Sequence, residues 1–169
     1  MTLNSGRRRA NGSEDYESAA AKDDKLDLRL WLRLISCTLM IENTVRRRLR
    51  KEFGITLPGF DVLAQLDRAP RGLSMSELSA RLMVTNGNVT GLVDRLIIRG
   101  LVARRADPKD QRVQVVRLTR KGRTLFGRMA PAHHTWIGEM MGGLKTGELQ
   151  RLYASLGRLK ASARSALDG

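Results

Sequence analysis

The sequence predicts a mainly α-helical fold carrying one small β-hairpin, an α+β chain built on helices. Three observations support this. Apolar residues recur at helical spacing in separate stretches before Gly100 and after Thr119. Between Leu101 and Leu118 the pattern changes to short apolar runs around turn residues. Serine, threonine and glycine stand at the edges of the helical stretches, where caps belong. With 169 residues the chain is long enough for one domain with a proper core.

Residues 1–24 are polar and without period, and read as a disordered tail, an extra electrostatic arm. Residues 25–169 read as a single domain. A long helix is predicted from Lys25 to Phe53, with Leu28, Trp31, Leu32, Ile35, Leu39 and Val45 at helical spacing. Its end carries Arg46, Arg47, Arg48, Arg50 and Lys51, which suit the negative end of the helix dipole, and Gly54 stops it. Pro58 opens the next helix, whose buried side is Phe60, Leu63, Ala64 and Leu66. Ala69-Pro70-Arg71-Gly72 is a turn. Ser74 and Glu77 then fit a capping box at the start of a short helix bearing Met75, Leu78 and Leu82. Thr85 supplies an N-cap hydroxyl for a second helix, in which Val89, Leu92, Val93, Leu96 and Ile97 face a core and Gly100 terminates.

Leu101 to Arg105 reads as a strand, Asp107-Pro108-Lys109-Asp110 as a turn, and Val113, Val115 and Leu118 as the returning strand, with Val116 interrupting the alternation. Thr119 caps a helix containing Leu125, Phe126 and Met129, which Pro131 is expected to kink or restart. It continues through Trp136, Ile137, Met140 and Met141 to Gly142 and Gly143. Thr146 is expected to cap the last helix, where Leu149, Leu152, Tyr153, Leu156 and Leu159 form a stripe.

The second short helix has an unusual outer face. Asn86, Gly87, Asn88, Thr90 and Gly91 are small or amide-bearing, and Arg95 follows one turn on. A glycine inside a helix costs about 1 kcal/mol relative to alanine. That cost is explained where another surface comes very close, as a DNA major groove does to a recognition helix. A polar solvent face that happens to hold two glycines is the alternative. The hairpin favours nucleic acid: Lys109 and Arg112 stand at its tip with Arg104 and Arg105 behind, and an arginine there can enter the narrow minor groove. Asp110 is placed to orient Arg112. Ser74, Thr85, Asn86, Gly87, Asn88, Thr90, Gly91, Arg95, Lys109, Asp110 and Arg112 are the DNA-binding candidates.

The formal net charge is +14. The first 24 residues set Arg7, Arg8, Arg9 and Lys22 against five carboxylates, so the excess lies in the ordered part. A polyanionic partner follows from the charge; sequence-specific recognition does not. Cys37 is the single cysteine, so no internal disulfide forms, and a reducing cytoplasm fits. A small buried helix residue is its expected role. No apolar run is long enough for a membrane span, and none follows Arg7-Arg8-Arg9 as in a signal peptide. Catalysis finds no support: there is no phosphate loop with its lysine, and no nucleophile–base arrangement. His133 and His134 are adjacent on a helix and diverge by about 100°, which makes a poor metal chelate. Neither a metal site nor a cofactor is expected.

These residues resemble the MarR family of bacterial transcription regulators. The matching runs are Leu92-Val93-Asp94-Arg95-Leu96, Gly100-Leu101-Val102-Ala103-Arg104, Asp110-Gln111-Arg112 and Arg117-Leu118-Thr119. The resemblance extends from about Leu26 onward. It implies a winged helix-turn-helix over residues 57–118 and dimerisation helices over 25–53 and 119–169. It also implies a cytoplasmic homodimer on pseudo-palindromic double-stranded DNA, a repressor released by a small effector. Family effectors bind between the dimer helices and the winged part, where Trp31, Phe60, Asp61, Arg104, His133 and Trp136 are the candidates. Urate-responsive members use a Trp, an Asp and two Arg; Asp61 and Arg104 match two of these, Leu92 replaces the second arginine, and Trp31 lies off the usual place. Residues 28–34, 57–63 and 133–136 look more like a subgroup tied to aromatic catabolism, whose effectors are aromatic acids or their coenzyme A thioesters. The basic cluster from Arg46 to Lys51 suits a phosphate-bearing effector. Core positions for Trp31 and Trp136 are the alternative. Other readings of the chain are a non-specific DNA-architectural protein, and a redox- or metal-sensing regulator of the same fold using Cys37 or the two histidines.

Overall fold

The computed structural model describes residues 25–82, 86–106 and 114–167. The elements are α1 (Leu26–Phe53), α2 (Leu57–Asp67), α3 (Met75–Leu82), α4 (Asn86–Ile98), β1 (Val102–Ala106), β2 (Gln114–Leu118), α5 (Arg120–Met141) and α6 (Thr146–Ser165). The architecture is the mainly α fold with one antiparallel hairpin that the pattern predicts. The chain falls into two compact units, Met1–Thr44 and Val45–Gly169. The described part of the first is the N-terminal stretch of α1. Residues 1–24, expected as a tail, lie outside the described residues, as do Thr85 and the hairpin tip with Lys109, Asp110 and Arg112.

In the first unit Leu26, Leu28, Leu30, Trp31, Leu39 and Met40 are all exposed. Cys37, expected to be buried, is exposed. The buried position there is Ser36, and the next residue on a helix is rotated by about 100° away from it.

The core of the second unit gathers the end of α1 (Val45, Leu49), Ile55, α2 (Phe60, Val62, Leu63, Leu66), Leu78 of α3, α4 (Val89, Val93, Leu96), both strands and Met129 and Trp136 of α5. Gly54 takes φ +62° after α1, which only glycine adopts without strain. Thr56 caps α2, its hydroxyl accepting from Gly59 N at 3.2 Å.

β1 and β2 pair from Val102 opposite Leu118 to Ala106 opposite Gln114. β2 makes one further backbone bridge beyond its partner strand. On its other side Leu73 N donates to Val116 O at 3.0 Å, and Val116 N to Leu73 O at 2.8 Å. The strand also packs on α2 and α5, so Val115 and Val116 are both buried.

Two expectations about the C-terminal helices change. Pro131 does not end α5, which runs unbroken from Arg120 to Met141. The proline removes the N–H that would bond to the carbonyl of Gly127 four residues back. Both residues are exposed, so water can reach the freed carbonyl. The last helix is capped one residue earlier than expected: Lys145 is the N-cap and Thr146 is already helical. A lysine side chain cannot accept a hydrogen bond, and the Glu148 carboxylate instead takes the Lys145 N–H at 2.8 Å. In α6 no residue is buried, and its stripe of Leu152, Tyr153, Leu156 and Leu159 is exposed.

Candidate nucleic-acid interface

The surface is built on the helix pair α3–α4. The capping box at its start is closed both ways: Glu77 N donates to Ser74 Oγ at 3.2 Å, and Ser74 N to the Glu77 carboxylate at 2.7 Å. Ser74 is thus tied into the first turn of α3. In α4, Val89 and Val93 are 0 % exposed and anchor one side of the helix. A helical period then turns Gly87, Asn88, Thr90, Gly91 and Arg95 outward, and all five are exposed. A Cβ on Gly87 or Gly91 would meet no heavy atom within 4 Å. Neither glycine is therefore required by packing among the described residues. Asn86 is the first residue of the helix.

Gly100 ends this stretch with φ +69°. The chain enters β1, where Arg104 and Arg105 follow. Arg104 Nη2 lies 2.7 Å from Asp94 Oδ1, joining the stalk of the hairpin to the outer side of α4. Both side chains are over two-fifths exposed, so the pair contributes no more than about 1 kcal/mol and acts mainly as a positioning contact. Asp94 was not among the sequence candidates. Its signal is its place directly before Arg95 on a face otherwise without carboxylates.

A cavity of about 700 Å³ opens behind this surface, between the end of α1, the start of α2 and the α3–α4 pair. Its apolar wall is Leu57, Pro58, Leu82 and Leu92; Arg46, Arg50, Arg95, Asp61 and Asn88 supply the polar groups. Of the six effector candidates, Asp61 lines it. Phe60 is buried and stacks on His133 at 4.7 Å. Trp136 is buried beside Phe53, ring centroids 6.3 Å apart, with the Arg48 guanidinium over it and that arginine paired to Glu139. Arg104 is held by Asp94. Trp31, in the first unit, is 56 % exposed. Arg46 and Arg50 belong to the basic cluster that the sequence offers for a phosphate-bearing effector, and nothing local in the sequence marks which of its five cations turn toward a cavity. Among the described residues no group of three His, Cys, Asp or Glu side chains gathers at one point, and no helix is long and apolar enough to cross a membrane.

His133 titrates below its ordinary 6.5, first because burial penalises the charged ring and second because His134 is beside it. The unfolded chain takes up this proton more readily than the fold. Stability from this group is therefore complete above about pH 7.5 and falls as pH drops through 6.5 toward the lowered value. Urea midpoints measured from pH 8 to 5 should show this loss, and His133→Gln should flatten it.

The profile of the MarR family matches residues 53–113. The transcriptional activatory protein BadR of Rhodopseudomonas palustris is 35% identical over 127 residues, 72% of this chain and 72% of BadR. A MarR family transcriptional regulator from Silicibacter pomeroyi is 34% identical, with a TM-score of 0.71, over 85% of this chain and 99% of that one. Sco3205 of Streptomyces coelicolor, a MarR family regulator solved in complex with DNA, is 25% identical with a TM-score of 0.73, over 86% of this chain and 92% of that one. The outward face of α4, the hairpin beside it and these likenesses lead to one conclusion: this chain belongs to the MarR family of DNA-binding transcriptional regulators.

Proposed function

We propose that the protein is a sequence-specific repressor that binds a pseudo-palindromic operator as a homodimer and is released by a small anionic effector. The observation that carries this is the open, small-residue face of α4. It costs helix stability, serves no packing among the described residues, and leaves the backbone open for approach to base edges. Asn88 and Thr90 read bases; Lys109, Asp110 and Arg112 of the hairpin tip hold the adjacent groove and backbone. A footprint upstream of the protein's own gene, followed by competition with bulk DNA, tests specificity. A ratio of roughly 10³ or more is expected, and a ratio near one would make this an architectural binder.

The second copy is inferred from α6. A 20-residue helix with no buried residue and leucines at 152, 156 and 159 has nothing among the described residues to cover its stripe. Helices of this kind draw their stability from a partner surface. Because Leu156 is exposed in the single chain, Leu156→Glu should leave the subunit folded. It should shift sedimentation to the monomer and weaken operator binding by at least tenfold. A variant that stays dimeric overturns this interface.

We assign the effector to the cavity that Asp61 lines. Three arginines suit a carboxylate or phosphate, and the apolar wall suits an aromatic body, so an aromatic acid or its coenzyme A thioester fits. Asn88 and Arg95 belong both to this cavity and to the outer side of α4. Occupation would thereby alter groups that face DNA. Calorimetry with aromatic acids and their thioesters should give heat that Arg50→Gln abolishes.

A further inference from the structure

A second cavity, of about 690 Å³, lies where the end of α1, the end of α4 and the first turns of α5 meet. Arg99, Arg120, Lys121 and Arg128 line it, and no carboxylate does. Its apolar floor is Phe53, Leu101 and Leu125. Neither the DNA-facing surface nor the effector cavity uses these residues.

Two of the four cations also hold structural posts. Arg99 Nη1 donates to Gly54 O at 2.8 Å, and Lys121 Nζ donates to Arg99 O at 2.9 Å, so each satisfies a carbonyl just past a helix end. Each such bond uses one donor of a guanidinium that has five or an ammonium that has three. Arg128 sits over the Phe53 ring, its Cζ 5.9 Å from the centroid. Arg120 has a less favourable setting. It opens α5, whose first turn holds Arg120, Lys121 and Arg123 and no acidic residue. Cations there oppose the helix dipole, by about 0.3–1 kcal/mol each. Gathering four like charges around one hollow adds repulsion. Where local sequence works against local stability, a functional use of those residues is the physical expectation.

We propose that this cavity binds the diphosphate group of a nucleotide, with the base lying against the Phe53–Leu125 floor. Guanidinium forks match phosphate oxygens two at a time, and Arg120 and Arg128 stand eight residues apart on α5, about 12 Å along its axis. The volume is in the range of small-molecule sites, roughly 300–1,000 Å³. A bare inorganic ion would leave the apolar floor uncovered. A free nucleoside diphosphate and the nucleotide end of coenzyme A present the same chemistry. The site stands independently of the effector cavity.

The test is calorimetry on the full chain at physiological salt with ADP, coenzyme A and inorganic pyrophosphate. ADP or coenzyme A should bind, and the tighter of the two identifies the source. Pyrophosphate should bind at least tenfold more weakly. The double variant Arg120→Gln/Arg128→Gln should lose at least tenfold affinity for ADP, while Arg46→Gln/Arg50→Gln in the other cavity leaves ADP affinity within twofold; coenzyme A is compared in that second background, so that the other cavity adds no heat. Both residues of the first pair are exposed, so circular dichroism should remain native. Equal binding by wild type and the first double variant would show only general attraction to a basic protein and overturn the proposal. So would pyrophosphate binding as tightly as ADP, or the absence of heat with both nucleotides. Loss of non-specific DNA affinity in that variant without any nucleotide binding would assign the cations to a DNA backbone instead.

Discussion

Replacing both Gly87 and Gly91 with leucine is expected to abolish operator binding while leaving the subunit at least as stable as before. The two effects have separate causes. A Cβ at either position meets nothing within 4 Å, so the added side chains project into solvent and strain nothing. Gly91 lies inside α4 and Gly87 in its first turn, so removing both should stabilise the helix by about 1 kcal/mol. On the DNA side the substitutions place two branched side chains between the helix backbone and the groove. Asn88 and Thr90 then cannot reach base edges, and affinity should fall at least a hundredfold, on the order of 3 kcal/mol. Fluorescence anisotropy with operator DNA, beside urea unfolding, reads both. Binding within threefold of wild type would mean that another surface contacts the bases. A large loss of stability would mean that the glycines serve the fold. An architectural protein held mainly by phosphate contacts would lose much less, because the cations are untouched.

How far the sequence discloses such features depends on whether they are local. The outer face of α4 follows from one buried side, Val89, Val93 and Leu96, and a fixed helical rotation. Caps at Ser74 and Thr119 are equally local, since each closes on a backbone N–H three residues away. The cavity that Asp61 lines is different. Arg50, Asp61, Leu82 and Arg95 lie on four elements, and no spacing rule along the chain links them. Val116 departs from alternation because α2, far earlier in the chain, and α5 both pack on β2. The Arg104–Asp94 pair arises only when β1 folds back along α4. Pro131 misleads for a further reason: the expected break assumes that the orphaned carbonyl has no partner, and exposure of Gly127 and Pro131 removes that penalty. Cys37 and Thr146 fail by a single residue, within which a helix turns by about 100° or a cap shifts its position.

Gly122→Ala is expected to be strongly destabilising, although α5 is a helix and alanine the best helix former. A Cβ on Gly122 would lie 2.0 Å from Leu101 O, 3.0 Å from its carbonyl carbon and 3.4 Å from its Cα. All three are backbone atoms, so no rotamer change relieves the overlap. The helix must move away from the turn that follows α4. That turn is held by Thr119, whose N–H donates to Leu101 O at 3.1 Å and whose hydroxyl donates to Gly100 O at 2.7 Å while accepting from Gly122 N at 3.0 Å. Displacement disturbs each of these bonds at a part-buried joint, and with the backbone overlap a loss of about 3 kcal/mol follows. The joint lies between the end of α4 and the start of α5, so operator affinity should fall with stability. Gly127 and Gly138 of the same helix provide the control. A Cβ at either meets nothing within 4 Å, and alanine there should be neutral or stabilising by up to about 1 kcal/mol. Urea midpoints for the three variants should therefore move in opposite directions. A Gly122→Ala protein as stable as the other two would show that α5 does not press on the Leu101 carbonyl as the structure places it.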